Sequence, residues 1–166
     1  MANKLITCTV NGKRREYFID VRSSLSDMLR GNEGLTSIKH GCDVGECGAC
    51  TVLIDGLPFN SCIYLAIWAE GKDILTLEGL SDVKGAVSDI QQAFIDEGAV
   101  QCGFCTPGFI MSSIPIITQE KPSSREEIRK LVAGNLCRCT GYEKIIDAIQ
   151  KTQAKRIRER KTSNGE

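Results

Sequence analysis

The sequence predicts an α+β chain in two parts, a small mixed sheet packed on one helix followed by a bundle of four short helices. Three observations predict it. In the first part, apolar residues fall in short alternating runs broken by Asn11-Gly12 and Gly56, as strands and hairpins do. From Val87 onward they recur at helical spacing instead. The cysteines divide in the same way: with Cys8 set aside, four of the nine precede the change of period and four follow it. The expected domains are residues 1–79 and 80–166, with Gly79 to Gly85 as the linker.

Composition narrows the function classes. The 166 residues carry 21 basic and 21 acidic side chains, so net charge gives no reason to expect nucleic acid or an anionic membrane as partner. No apolar run approaches a membrane span. The N-terminus enters a polar and apolar alternation directly, without the apolar core of a secretory signal, so a reducing cytoplasm with metal-bound thiolates is expected rather than a disulfide framework.

In chain order, Lys4 to Val10 and Lys13 to Asp20 read as strands joined by Asn11-Gly12, the dipeptide suited to a tight type I′ turn. Cys8 alternates within the first strand as a small buried side chain. Ser24 can cap a helix through Leu25, Met28 and Leu29 that ends near Gly31. Leu35 to His40 leads into a Gly-rich loop; Thr51 to Asp55 is the next strand, stopped by Gly56, with Pro58 and Phe59 in the return. Ile63 to Ala69 is apolar and short enough to be helix or strand, and Ile74 to Leu77 is the last strand.

Past the linker, Val87, Ile90, Ala93 and Phe94 mark a helix stopped by Gly98. A second follows Pro107, with Pro115 expected to kink or end it. Ser123 and Glu126 fit a capping box for a third, through Ile128, Leu131 and Val132. The fourth spans Tyr142 to about Arg158, with Ile145, Ile146 and Ile149 on one face. The basic tail, Arg156 to Lys161, reads as a solvated, frayed helix end.

The chemistry concentrates in the cysteines. Cys42, Cys47, Cys50 and Cys62 have the C-x4-C-x2-C spacing, with a fourth cysteine further on, of the plant-type [2Fe-2S] ligand run. Gly41, Gly45 and Gly48 can take positive φ, wrap the loop and turn backbone N–H groups toward sulfur. Zinc sites usually use two short pairs, which this loop does not offer. His40 beside the loop is expected on the surface or in packing, because four thiolates complete the set. The second group, Cys102, Cys105, Cys137 and Cys139, lies at helix junctions, where N-terminal N–H groups favour an anion. Its spacing is open to zinc as well as to iron and sulfide.

With GCDVGECGACT, QCGFCTPG and GNLCRCTGY in this order, residues 4 to 150 resemble the two-cluster iron-sulfur subunits of the molybdenum hydroxylases, the xanthine dehydrogenase and aldehyde oxidoreductase family. SCIYLAIWAEGKDILTLEGL and AVQCGFCTPG are most similar to the small subunits of bacterial xanthine dehydrogenases. The resemblance implies a plant-type ferredoxin domain of β-grasp form followed by an all-α four-helix domain, each with one [2Fe-2S] cluster. It implies that Cys42, Cys47, Cys50 and Cys62 bind the cluster on the flavin side, and Cys102, Cys105, Cys137 and Cys139 the one on the molybdenum side. Gln101 and Cys139 would contact the pterin of a molybdopterin cofactor held by a partner. On this resemblance the chain has no catalytic residue of its own. It would relay electrons from a large molybdenum-pterin subunit to FAD on another subunit, in a dimer of heterotrimers. Related subunits serve nicotinate, aldehyde and carbon monoxide enzymes; a free ferredoxin-type carrier would not need the second domain.

Overall fold

The structure, a computed structural model, describes residues 2–81 and 84–163. Strands β1 (Asn3–Val10) and β2 (Lys13–Asp20) pair antiparallel through a turn in which Asn11 and Gly12 both have positive φ, as the dipeptide predicts. Helix α1 (Leu25–Glu33) is capped by Ser24, whose hydroxyl accepts from the Asp27 N–H at 3.1 Å. It runs past Gly31 and ends on Gly34, in the left-handed conformation that closes a helix. A second hairpin joins β3 (Thr51–Ile54) to β4 (Leu57–Asn60) through left-handed Asp55 and Gly56. The expected return at Pro58 and Phe59 is therefore a strand; Pro58 is tolerated because β4 lies at the sheet edge. Ile63 to Ala69 forms neither an α-helix nor a strand: bends at Ile63 and Tyr64 and an extended Leu65 lead into a 3-10 turn at Ala66–Ala69. β5 (Asp73–Leu75) completes a sheet of order β2-β1-β5-β3-β4, in which only β1 and β5 pair in parallel.

This sheet folds over α1, the β-grasp arrangement. Ile6, Cys8 and Val10 of β1 meet Val52, Ile54 and Ile74 from the other strands, and Leu25, Met28 and Leu29 from α1. Cys8 belongs to this core. Burial, together with nearby Glu70 and Glu33, pushes its thiol up to about 11, so it stays neutral.

The second half holds α2 (Asp89–Asp96), α3 (Thr106–Ile117), α4 (Arg125–Leu131) and α5 (Glu143–Ser163). Their core joins Ile90, Phe94, Phe109, Ile117, Ile128, Ile145 and Ile149. Each fully buried aliphatic or aromatic side chain contributes about 1.5–3 kcal/mol relative to exposure. Leu77 and Leu80, in a 3-10 turn that follows β5, already pack on this core, so the start of the expected linker is docked; residues 82–83 of that linker lie outside the described residues. Val87 stays outside α2 and exposed. Helix α3 is apolar on most of its circumference because β3 and β4 cover one side and α5 another. That packing carries it two residues beyond Pro115, which does not end it.

The capping box at α4 is shifted by one residue, to Ser124 and Glu127. The cause is Gln153, a buried amide on α5. It accepts the Ser123 N–H at 2.8 Å and donates to the carbonyls of Ile116 and Lys121, so Ser123 is already engaged.

The tail is not frayed. Helix α5 continues to Ser163, where Arg156 makes a bidentate pair with Asp89 of α2 at 2.6 Å and Arg160 donates to the Thr118 carbonyl at 2.9 Å. Both partners of the first pair are about three-quarters buried, at 26% side-chain exposure each. The guanidinium holds the Asp89 carboxyl below its ordinary range. Arg156→Ala should cost roughly 1–2 kcal/mol in urea unfolding near pH 7. A carboxylate with a depressed folded pKa stabilises fully above its unfolded value of about 3.9, and loses that contribution as pH falls through the folded value. The gap between variant and parent should stay constant from pH 8 to pH 5, and narrow only in more acid solution.

Candidate functional site

Three thiols of the first group, Cys42, Cys47 and Cys50, lie on the loop between α1 and β3, and the fourth, Cys62, follows β4. Asp43, Gly45 and Gly48 have positive φ and bend the chain around the thiols. Gly41 does not; glycine is required there because a Cβ would stand 2.9 Å from Cys47 Sγ. The loop is held from outside: Asn60 Nδ2 donates to the Gly45 carbonyl at 2.6 Å, Thr51 Oγ1 to that of Gly48 at 2.7 Å, and Ser61 Oγ to that of Cys50 at 2.7 Å. The last bond also seats Cys62, the next residue, beside Cys50.

Backbone N–H groups of Val44, Cys47 and Glu46 point at Cys42 Sγ and bring its thiol down to about 7. Burial and then the facing Cys50 thiol push Cys62 up to about 12. Burial likewise raises Cys47, with Cys42 beside it. The thiols thus face one another as two pairs, Cys42 with Cys47 and Cys50 with Cys62. His40 has its ring Nδ1 2.7 Å from Asp43 Oδ1 and does not join them.

The second group is built at the start of α3 and in the segment between α4 and α5. Left-handed Gly103 turns Cys102 and Cys105 toward one side, and Cys105 stands at the N-terminus of α3. Cys137 receives the Thr140 N–H at 3.4 Å, with the Thr140 hydroxyl at 3.0 Å, and its own N–H donates to the Tyr142 hydroxyl at 3.1 Å. Burial opposes ionisation of Cys137, but these Thr140 donors and the Cys139 N–H hold its thiol below the ordinary value. Burial and the adjacent Cys137 push Cys105 up to about 12. Cys139 Sγ lies 3.6 Å from Cys102 Sγ, and that neighbour raises it. Again there are two pairs, Cys102 with Cys139 and Cys105 with Cys137.

All eight expected thiols are therefore gathered into two quartets, and none of the nine cysteines is in a disulfide. Among the described residues no three His, Cys, Asp or Glu side chains are arranged to hold one ion. Two facing pairs per quartet fit a two-iron centre, in which each iron takes two protein ligands, better than a single tetrahedral zinc. The donor set and the N–H groups aimed at sulfur fit that group too.

The quartets differ in exposure. Cys102, Cys139 and Gln101 are exposed, whereas Cys50 is buried and Cys42, Cys47 and Cys62 are half-buried. They also touch. The Leu136 N–H donates to the Cys47 carbonyl at 2.9 Å, and the Phe104 ring stands over the open face of Gly41. Asn135, Ser112 and Gly108 sit in the same seam, and sequence reasoning singled out none of them. The one available signal was Asn135 itself, a polar residue two positions before Cys137 with no helix to cap.

Residues 8–71 match the family described as "2Fe-2S iron-sulfur cluster binding domain" and residues 76–150 the family described as "[2Fe-2S] binding domain". The chain is 53% identical over 147 residues to the xanthine dehydrogenase iron-sulfur-binding subunit of Escherichia coli O157:H7, covering 87% of this chain and 91% of that protein. It is 47% identical to the nicotine 6-hydroxylase small subunit of Paenarthrobacter nicotinovorans, covering 87% of this chain and 86% of that one. Among solved structures it is similar to a chain of quinoline 2-oxidoreductase from Pseudomonas putida 86, with a TM-score of 0.87, 45% identity, and coverage of 95% and 97% of the two chains.

At Gly45, φ is +81° and a Cβ would meet Ile63 Cδ1 at 2.7 Å. Gly45→Ala should therefore lower bound iron to roughly half, by emptying one of two like sites. Metal analysis of the purified protein reads this directly; full iron in the variant would contradict the role given to the loop.

Proposed function

The chain belongs to the two-cluster iron-sulfur subunits of the molybdenum hydroxylases, and from that membership we propose that it is the electron-transfer subunit of a xanthine dehydrogenase type enzyme. The observation that carries the reading is the pair of four-thiol sites, joined by one seam. Higher identity to the purine-type subunit than to the nicotine-type one favours a purine substrate, bound on another chain. Residues 1–79 and 80–166 act as the two cluster-bearing domains.

In this reading the two [2Fe-2S] clusters, when bound, supply one-electron carriers between the molybdenum-pterin centre of a large subunit and FAD on a third chain. Cys42, Cys47, Cys50 and Cys62 hold one, and Cys102, Cys105, Cys137 and Cys139 the other. The N–H groups of Val44, Cys47 and Thr140 stabilise sulfur charge, which sets how readily each site accepts an electron. Gln101 and the exposed edge of Cys102 and Cys139 face the pterin-bearing subunit, where an exposed amide and thiolate can receive a cofactor's polar edge. The rim of the first quartet, with Val44 and Ile63 exposed, faces the flavin-bearing subunit. Three such chains form a heterotrimer that pairs into a dimer of heterotrimers. The assembly works in the cytoplasm, where thiols stay reduced. Among the described residues no helix is long and apolar enough to cross a membrane.

Isolation under mild salt should bring down a large and a medium subunit with purine-oxidising activity. A chain recovered alone, reducing many acceptors, would point to a free carrier instead. Cys139→Ala should bleach one of two EPR signals and spare the other, with about two of four irons lost; loss of both signals together would contradict two independent sites.

A further inference from the structure

The loop of the first quartet and the helices of the second meet at a knot of three residues. Asn135 is 5% exposed, and both ends of its amide are used: Nδ2 donates to the Gly48 carbonyl at 2.9 Å, and Oδ1 accepts from Ser112 Oγ at 2.7 Å. A buried amide is costly unless so satisfied, and an apolar seam would not require one. Two glycines make room for it. A Cβ on Gly48 would stand 2.4 Å from Asn135 Nδ2 and 2.5 Å from the Gly134 carbonyl. A Cβ on Gly108 would stand 2.2 Å from the Gly48 carbonyl and 2.9 Å from Asn135 Nδ2. Three backbones are thus in contact where only hydrogen atoms fit between them.

The place of the knot in the chain matters as much as its tightness. Gly48 lies between Cys47 and Cys50, Gly108 follows Cys105 by three residues, and Asn135 precedes Cys137 by two. Thr51 grips the same Gly48 carbonyl from β3, through its N–H at 3.1 Å and its hydroxyl at 2.7 Å. With at most two residues between each of them and the nearest thiols, any shift of Gly48, Gly108 or Asn135 would be passed to Cys47 and Cys50 of one quartet and to Cys105 and Cys137 of the other.

We propose that Asn135 is a positioning residue: its amide, seated between Gly48 and Gly108, fixes the separation of the two four-thiol sites and so the span an electron must cross. The inference rests on the two-cluster reading but concerns spacing, not cluster retention. It is tested on the assembled complex with Asn135→Asp, which keeps the shape of the side chain but sets a carboxylate oxygen against the Gly48 carbonyl. Gly108→Ala drives a Cβ against both the Gly48 carbonyl and Asn135 Nδ2. The readouts are iron content and the magnetic dipolar interaction between the two reduced sites in EPR. Both variants should keep the parent's iron and both signals, while the dipolar interaction weakens and the inter-site distance broadens or shifts. An unchanged distance in both variants, or loss of iron from Asn135→Asp, overturns the assignment. Failure to find two signals in the unsubstituted complex is a different result, which overturns the two-cluster reading and this inference with it.

Discussion

With no cation beside it, charge on sulfur is kept inside a protein by backbone N–H groups that are free to face it, and ordinary helices and sheets leave few free. Both halves of this chain are shaped by that constraint. The loop from Gly41 to Cys50 gives up regular structure altogether, and left-handed residues turn the N–H groups of Val44, Glu46 and Cys47 onto Cys42. The helical half uses chain ends instead, placing Cys105 where α3 begins and directing Thr140 at Cys137 before α5 begins. The sheet and the bundle serve largely to hold these irregular segments still. Asn60, Thr51 and Ser61 do so by gripping the loop carbonyls of Gly45, Gly48 and Cys50.

The same economy explains why the halves form one body. A loop that has spent its N–H groups on sulfur keeps its carbonyls, and the second half donates to them: Leu136 to Cys47, and Asn135 to Gly48. Each half keeps its own core, and helix α3 is covered on one side by β3 and β4 and on another by α5, so the halves also share an apolar face. Packing and polar satisfaction therefore act at the same seam, between the two four-thiol sites.

Much of this was legible in the sequence because it is written in local chemistry. Asn11-Gly12 specifies a turn, Ser24 a cap, and cysteine spacing a ligand run, and each needs only its neighbours. What was not legible depends on residues far away in the chain. The capping box moved to Ser124 because Gln153, on α5, had taken Ser123. Pro115 failed to end α3 because that helix is clasped on several sides. The basic tail reads as solvated until Asp89 and the end of α3 are brought beside it. Gly41 was expected to supply a left-handed turn, but it is needed for lack of a Cβ, and Asp43 takes the turn. The second quartet left zinc open on spacing; the facing pairs of thiols and the matched families favour iron and sulfide.

The central claim is that eight thiols serve two separate two-iron centres, one in each half of the chain. Spin quantitation of the dithionite-reduced protein tests it most directly. The account predicts about two unpaired spins per chain, in two distinguishable signals. A single signal of about one spin, or none with zinc bound in stoichiometric amount, would contradict it.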